Sequence, residues 1–137
     1  MRIMAIDYGD TRIGLAVSDE TATLCGEAWT LSERSAERAA DTIIYEAEKR
    51  GVVAFVLGYP KNMDGTLGPR AQKSEAFKAL LEERSSIPVT LWDERRTTIA
   101  AHEILSAGGK KMKQHKKNVD AVAASLILEG YLGFLKN

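Results

Sequence analysis

Met1-Arg2-Ile3-Met4-Ala5-Ile6-Asp7-Tyr8-Gly9-Asp10-Thr11-Arg12-Ile13-Gly14-Leu15-Ala16-Val17-Ser18 is the stretch whose reading decides the fold. Residues 2–7 read as an apolar strand that delivers an acidic residue into a glycine turn. Residues 13–18 alternate Ile13, Leu15 and Val17 against Gly14, Ala16 and Ser18, the pattern of a half-buried strand. The short connection between them predicts an antiparallel hairpin. Burying Ile3, Met4, Ala5 and Ile6 fixes the backbone, so the Asp7 carboxylate at the strand's end is held in place, as a chemical site requires.

Working outward, a third strand is expected over Glu27–Leu31. The period then changes from two to that of a helix: Ala36, Ala39, Ala40, Ile43, Ile44 and Ala47 share one face, and Gly51 stands where a left-handed C-cap would end it. Val52–Leu57 is a continuous apolar, β-branched run that suits a strand buried on both faces, stopped by Gly58-Tyr59-Pro60. Pro69 is placed to start a helix that turns Ala76, Phe77, Leu80 and Leu81 inward. Val89–Trp92 reads as the last strand, with helices following over Thr98–Ala107 and Val119–Phe134. Strand-helix-strand crossovers force parallel pairing. The fold class is therefore α/β, a mixed five-stranded sheet made of a three-strand antiparallel meander plus two parallel strands, with flanking helices. Ligands of such open sheets gather at the carboxyl ends of strands, where Asp7 and Asp93-Glu94 both fall.

The chain has 137 residues, 45% hydrophobic and 28% charged, which suits a single globular domain spanning 1–137. No apolar run approaches membrane-spanning length and the N-terminus does not resemble a signal peptide, so a cytoplasmic protein without a membrane partner is expected. Cys25 is the single cysteine; it excludes an internal disulfide and reads as a small core residue rather than a nucleophile. His102, His115 and Cys25 cannot assemble the usual zinc sets. No nucleophile elbow, Walker loop or dinucleotide glycine pattern is present.

Three separated segments can supply convergent carboxylates: Asp7, the pair Asp93-Glu94, and Asp120 at the start of the last helix. All-oxygen donors of this kind suit a pair of Mg²⁺ or Mn²⁺ ions, which activate phosphodiester hydrolysis. Each also has an ordinary structural reading. Asp7 could close a turn through its own backbone, Asp93-Glu94 could enter a helix, and Asp120 could be a first-turn acid worth about 0.3–1 kcal/mol behind an Asn118 cap. Strand alternation puts Asp93 and Glu94 on opposite sides, and either could face the metal. Val119, Val122, Ala123, Leu126, Ile127 and Gly130 read as the buried side of the last helix, with Asp120 on its edge.

Charge is uneven. The net charge is zero, yet the stretch from Gly108 to Asn118 holds Lys110, Lys111, Lys113, Lys116 and Lys117 and no acid, so the remainder carries −5. Such a segment suits a polyanionic backbone. Arg12 and Arg95 are the candidates for gripping phosphates, because guanidinium matches phosphate bidentately; ion pairing on the surface is their simpler role.

Taken in order, Asp7 to Asp19, then Gly58-Tyr59-Pro60 with Met63-Asp64-Gly65, then Asp93-Glu94-Arg95-Arg96-Thr97-Thr98, and finally Asp120 with Ala123-Ala124 and Ile127-Leu128 resemble the YqgF/RuvX family. The resemblance spans nearly the whole chain. It implies an RNase H-like fold, with Asp7, Glu94 and Asp120 as metal ligands and catalytic residues, Asp93 competing for the second place. It also implies a metal-dependent nuclease that leaves a 5′-phosphate and a 3′-hydroxyl. The family's described substrates are the 5′ end of pre-16S rRNA and the four-way DNA junction. One small domain suffices for rRNA processing, the first expectation here; junction resolution needs two active sites and hence a homodimer. Two further classes compete. An actin-like ATPase or sugar kinase also begins with Asp-x-Gly before a hairpin but needs a much longer chain. A non-catalytic assembly factor would bind rRNA through the lysines alone.

Overall fold

In the computed structural model, which describes residues 1–97 and 119–136, the strands β1 (Arg2–Asp7), β2 (Arg12–Ser18), β3 (Cys25–Ser32), β4 (Val52–Tyr59) and β5 (Val89–Asp93) form one sheet in the order β3-β2-β1-β4-β5. The β1–β2 and β2–β3 pairs are antiparallel, whereas β4 is parallel to both β1 and β5. The expected meander-plus-crossover topology is thus the observed one. Two strand ends differ from expectation. β3 is longer than Glu27–Leu31, and β4 runs through Gly58 to Tyr59 instead of stopping at Leu57, because Gly58 and Tyr59 still pair with Trp92 and Asp93 of β5.

Helix α1 (Ala36–Arg50) is framed by local chemistry. The Ser35 side chain accepts from the Arg38 N–H at one end, and Gly51, at φ 70°, donates its N–H to the Ala47 and Glu48 carbonyls at the other. Its buried face is Ala39, Ala40, Ile43, Ile44 and Ala47. Helix α2 (Pro69–Arg84) buries Ala71, Ser74, Phe77 and Leu81, leaving Leu80 half-buried and Ala76 exposed against expectation. Alanine is small enough to sit on either face, so it is a poor marker of helical phase.

Helix α3 (Val119–Leu135) departs further. It buries Ala121, Ala124, Ile127, Leu128 and Leu132, while Val119 is 53% exposed and Val122, Ala123, Leu126 and Gly130 are only half-buried. The expected face is rotated from the observed one because this helix is apolar on nearly every side, and a periodicity argument then has little to choose between. The helix expected over Thr98–Ala107 and the Asn118 cap lie outside the described residues.

Two cores sandwich the sheet. Met4, Ile6, Leu15, Phe55 and Leu57 pack on one face with α1 and with Phe77 and Leu81 of α2. Ile3, Ala5, Ala16, Val56 and Trp92 pack on the other with Ala124, Ile127, Leu128 and Leu132 of α3. With both faces covered, β2 is buried from Ile13 to Val17 and is not the half-buried strand its alternation suggested. Each fully buried large apolar side chain here is worth about 1.5–3 kcal/mol. Cys25 is half-buried against the second core, and burial pushes its thiol up from the ordinary value, in keeping with a packing role. Among the described residues no helix is long and apolar enough to cross a membrane.

One contact fixes where α3 begins. A Cβ on Gly14 would lie 1.8 Å from the Asp120 carbonyl oxygen and 2.4 Å from its carbonyl carbon. Both are backbone atoms that cannot move alone, so glycine at this position of β2 lets the first turn of α3 rest on the sheet. Gly14→Ala is expected to cost about 3 kcal/mol, the upper part of the usual overpacking range, measured by denaturant unfolding. A loss under about 0.5 kcal/mol, the scale of an ordinary surface substitution, would show that α3 can slide without penalty.

Candidate active site

The sheet brings two carboxylates together at its carboxyl edge. Ile6 of β1 pairs with Leu57 of β4, which places Asp7 beside Gly58 one residue on. Gly58 in turn pairs with Trp92 of β5, and Glu94 follows that strand as the first residue of a single 3₁₀ turn, Glu94–Thr97. Glu94 thereby reaches across the end of β4 and shares a hydrogen bond with Asp7.

The electrostatics favour a shared proton between the two carboxyls. Burial pushes Asp7 up to about 6; Arg70 pulls it back, the charge of Asp120 adds to the rise, and the hydrogen bond from Glu94 favours its ionised form. Burial pushes Glu94 up to about 7, with the neighbouring Asp7 charge adding to it, Arg70 opposing, and the bond to Asp7 favouring its protonated form. Two carboxyls this close cannot both ionise cheaply. The pair therefore holds a proton between its two carboxyls.

Asp120 lies near enough to act on Asp7, but its own carboxylate is engaged. Arg12 Nε donates to Asp120 Oδ2 at 2.8 Å, an ion pair in which the arginine side chain is 54% exposed. Asp93, the alternative to Glu94, is turned to Arg95 instead. The Arg95 guanidinium donates from Nε at 3.0 Å and Nη2 at 2.6 Å, and the Arg95 backbone N–H donates at 3.0 Å. Those bonds hold the Asp93 carboxyl below the ordinary range. Arg95 also reaches the Met63 carbonyl at 3.5 Å, so the side chain expected to grip phosphate is at the same time a clamp on the loop after β4.

Arg70 is the residue that sequence reasoning missed. It stands in the first turn of α2, exposed, and its positive charge lowers both Asp7 and Glu94. A signal existed: the first turn of α2 has no acid, and a cation at the positive end of a helix works against the dipole. Tyr8, next to Asp7, stacks on Phe77 of α2 at 4.2 Å between ring centroids and 21° between planes. That stacking ties the Asp7 turn to the helix carrying Arg70. Lys73, one turn further, pairs with Asp10 at 2.8 Å. Lys110, Lys111, Lys113, Lys116 and Lys117 lie outside the described residues.

The donor set fits a hard cation in part. Asp7 and Glu94 offer oxygens in direct contact, held by strand ends, and the proton between them is what a divalent ion would displace. Among the described residues, however, no three of His, Cys, Asp or Glu are already drawn together as a metal cage. Asp120 is paired through Oδ2 with Arg12.

The raised pair makes stability depend on pH with a definite sign. Carboxyls whose folded values lie above their unfolded values bind more protons in the folded state, so their contribution is fully present below about pH 4 and is lost as pH rises through about 6 to 7. Asp19, Glu27, Glu46, Asp64 and Asp93 are shifted the other way, so the test is a difference. With metal chelated, Glu94→Gln is expected to gain on the order of 2 kcal/mol relative to the unsubstituted chain between pH 5 and pH 8, the size of a one- to two-unit shift, read from urea unfolding at both values. Parallel pH dependences of the two proteins would show that the pair is not protonated as described.

Comparison with known proteins identifies the family and the fold. The family model described as "RuvX: Holliday junction resolvase" matches residues 1–133. A protein of Halothermothrix orenii, named as a pre-16S rRNA nuclease, is 40% identical over 134 residues, covering 98% of this chain and 96% of its own. Among solved structures, Thermus thermophilus RuvC bound to a Holliday junction superposes with a TM-score of 0.62 at 13% identity, over 98% of this chain and 96% of that one. The fowlpox virus Holliday junction resolvase superposes with a TM-score of 0.62 at 16% identity, over 98% and 99%. Likeness at such low identity speaks for the fold alone, which is RNase H-like.

Proposed function

Because this chain belongs to the RuvX family of Holliday junction resolvases, we propose that it is a metal-dependent phosphodiesterase whose substrate is the 5′ region of pre-16S rRNA. The substrate follows the name carried by relatives about 40% identical along nearly their whole length. The observation that carries the chemistry is the contact between Glu94 and Asp7 at the ends of two strands, with Asp120 at hand. Two acids pressed together in this way are costly to fold around, and a site that bears such a cost is a candidate for function.

Mg²⁺ or Mn²⁺ held by Asp7, Glu94 and Asp120 would supply activation of water and stabilisation of the leaving oxygen, with two ions as the fullest form of that arrangement. The protein's own groups do the rest. Asp7 presents an oxygen fixed by β1 and Glu94 one carried beyond β5, and the proton they share would leave if a cation were held there. Arg12 exchanges Asp120 for a substrate phosphate, and Arg70, whose charge acts on the same carboxylates from α2, donates to a second phosphate oxygen. Arg95, braced by Asp93, holds the loop after β4 and offers its outer edge to the backbone. The five lysines Lys110, Lys111, Lys113, Lys116 and Lys117 add charge that suits a polyanionic backbone.

Arg70→Ala is accordingly expected to lower kcat/KM by about 10- to 100-fold, the scale of losing one charge-assisted phosphate contact, and to leave folding intact. A variant with unaltered kcat/KM would reduce Arg70 to a bystander that merely tunes the carboxyls. The family description and the two resolvase folds keep the four-way DNA junction as a second reading, in which the chain acts as a homodimer. Purified protein offered 5′-extended 16S precursor and a four-way junction in parallel, in Mn²⁺ and in chelator, separates the two. Preferential metal-dependent cleavage of the RNA is expected. Preference for the junction would reverse the substrate, and no cleavage of either would favour a non-catalytic assembly factor.

A further inference from the structure

Gly58 occupies the carboxyl end of β4, between β1 and β5, with buried neighbours Leu57 and Tyr59 on either side of it in the chain. Glycine weakens a strand at such a position, and the backbone does not ask for it: the glycines with positive φ among the described residues are Gly51 and Gly65. The space around it supplies the reason. A Cβ at Gly58 would lie 2.9 Å from Glu94 Oε1, 3.2 Å from Glu94 Cδ and 2.7 Å from Ile127 Cδ1.

We propose that Gly58 is a positioning residue for the Glu94 carboxyl: the side chain it lacks leaves the niche through which a carboxyl carried beyond β5 crosses the end of β4 to meet Asp7 on β1. This rests on the reading of Glu94 as part of the nuclease centre. The crowded atoms are the far ends of two flexible side chains and not backbone, so the fold can absorb a methyl group at this position. The Glu94 carboxyl cannot absorb it and stay in place. A missing side chain on the middle strand thus lets an acid from the adjacent strand occupy the position that strand order alone would give to residue 58.

Because Ile127 Cδ1 is also crowded, the test is made where that atom is absent. Ile127→Val deletes it, and Gly58→Ala is then added to the Ile127→Val protein, so the remaining close approach is to Glu94. Relative to Ile127→Val, the double variant is expected to lose about 100-fold in kcat, the cost of a displacement near 1 Å at a reacting group, with KM and melting temperature essentially unmoved. Glu94→Gln is assayed alongside on the same substrate. If Glu94→Gln is inactive and the double variant turns over like Ile127→Val, the positioning role is wrong and the nuclease centre stands. If Glu94→Gln cleaves normally, the centre itself is misassigned and the positioning role falls with it.

Discussion

Replacing Asp7 by asparagine is expected to lower metal-dependent cleavage by about a thousandfold or more while leaving the protein folded. The substitution keeps the volume at the end of β1 and removes the ionisable carboxyl that the strand holds against Glu94. Loss of a charged ligand removes transition-state stabilisation directly, and each factor of ten corresponds to about 1.4 kcal/mol of barrier. The same change relieves the burial of a charge, so the metal-free variant should be at least as stable as the parent chain at pH 8. Reduced activity together with raised stability is the pattern of a functional site held at a cost to the fold. A folded Asp7→Asn protein that cleaves at the parental rate would remove Asp7 from the chemistry.

An asymmetry between adjacent acids is the second large effect. Glu94→Gln should lower turnover by about 100- to 1000-fold, the range seen when one fixed electrostatic partner of a reaction is lost, because Glu94 is the carboxyl that meets Asp7. Asp93→Asn should change turnover only a few-fold. Its loss falls on the bonds to the Arg95 guanidinium and backbone N–H, and hence on the loop clamped through the Met63 carbonyl; a half-exposed pair of this sort is worth about 0.2–1 kcal/mol of stability. Side-by-side kinetics and unfolding of the two variants decide the matter. The reverse order of damage would reverse the assignment and make Asp93 the second carboxylate.

Much of the fold was legible in the sequence because its elements carry different periods and clear punctuation. β1 ends in an acid and a glycine turn, α1 has Ser35 before it and Gly51 after it, and the crossovers leave few topologies. What was not legible depended on contacts distant in sequence. The alternation of Asp93 and Glu94 says that they point apart, but the pairing of Tyr59 with Asp93 and the capture of Asp93 by Arg95 say which one meets Asp7. Helix α3 is apolar on most sides, so its face is chosen by the fit of Asp120 over Gly14 and not by a stripe. Gly58 read as a strand stop; the crowding that gives it another meaning involves Glu94 and Ile127, both far along the chain. Arg70 was overlooked because its partners, Asp7 and Glu94, lie on other strands, although its place at a helix N-terminus was itself a sign.

The claim on which everything else depends is that Asp7 and Glu94 together form a seat for a divalent cation, and calorimetric titration of Mn²⁺ into the chain and its Asp7→Asn, Glu94→Gln and Asp93→Asn variants tests it without recourse to any substrate. Binding to the unsubstituted chain and to Asp93→Asn with similar affinity, and at least tenfold weaker binding to the other two, is the predicted result. Equal affinity in all four proteins, or no binding to any of them while they remain folded, would contradict it.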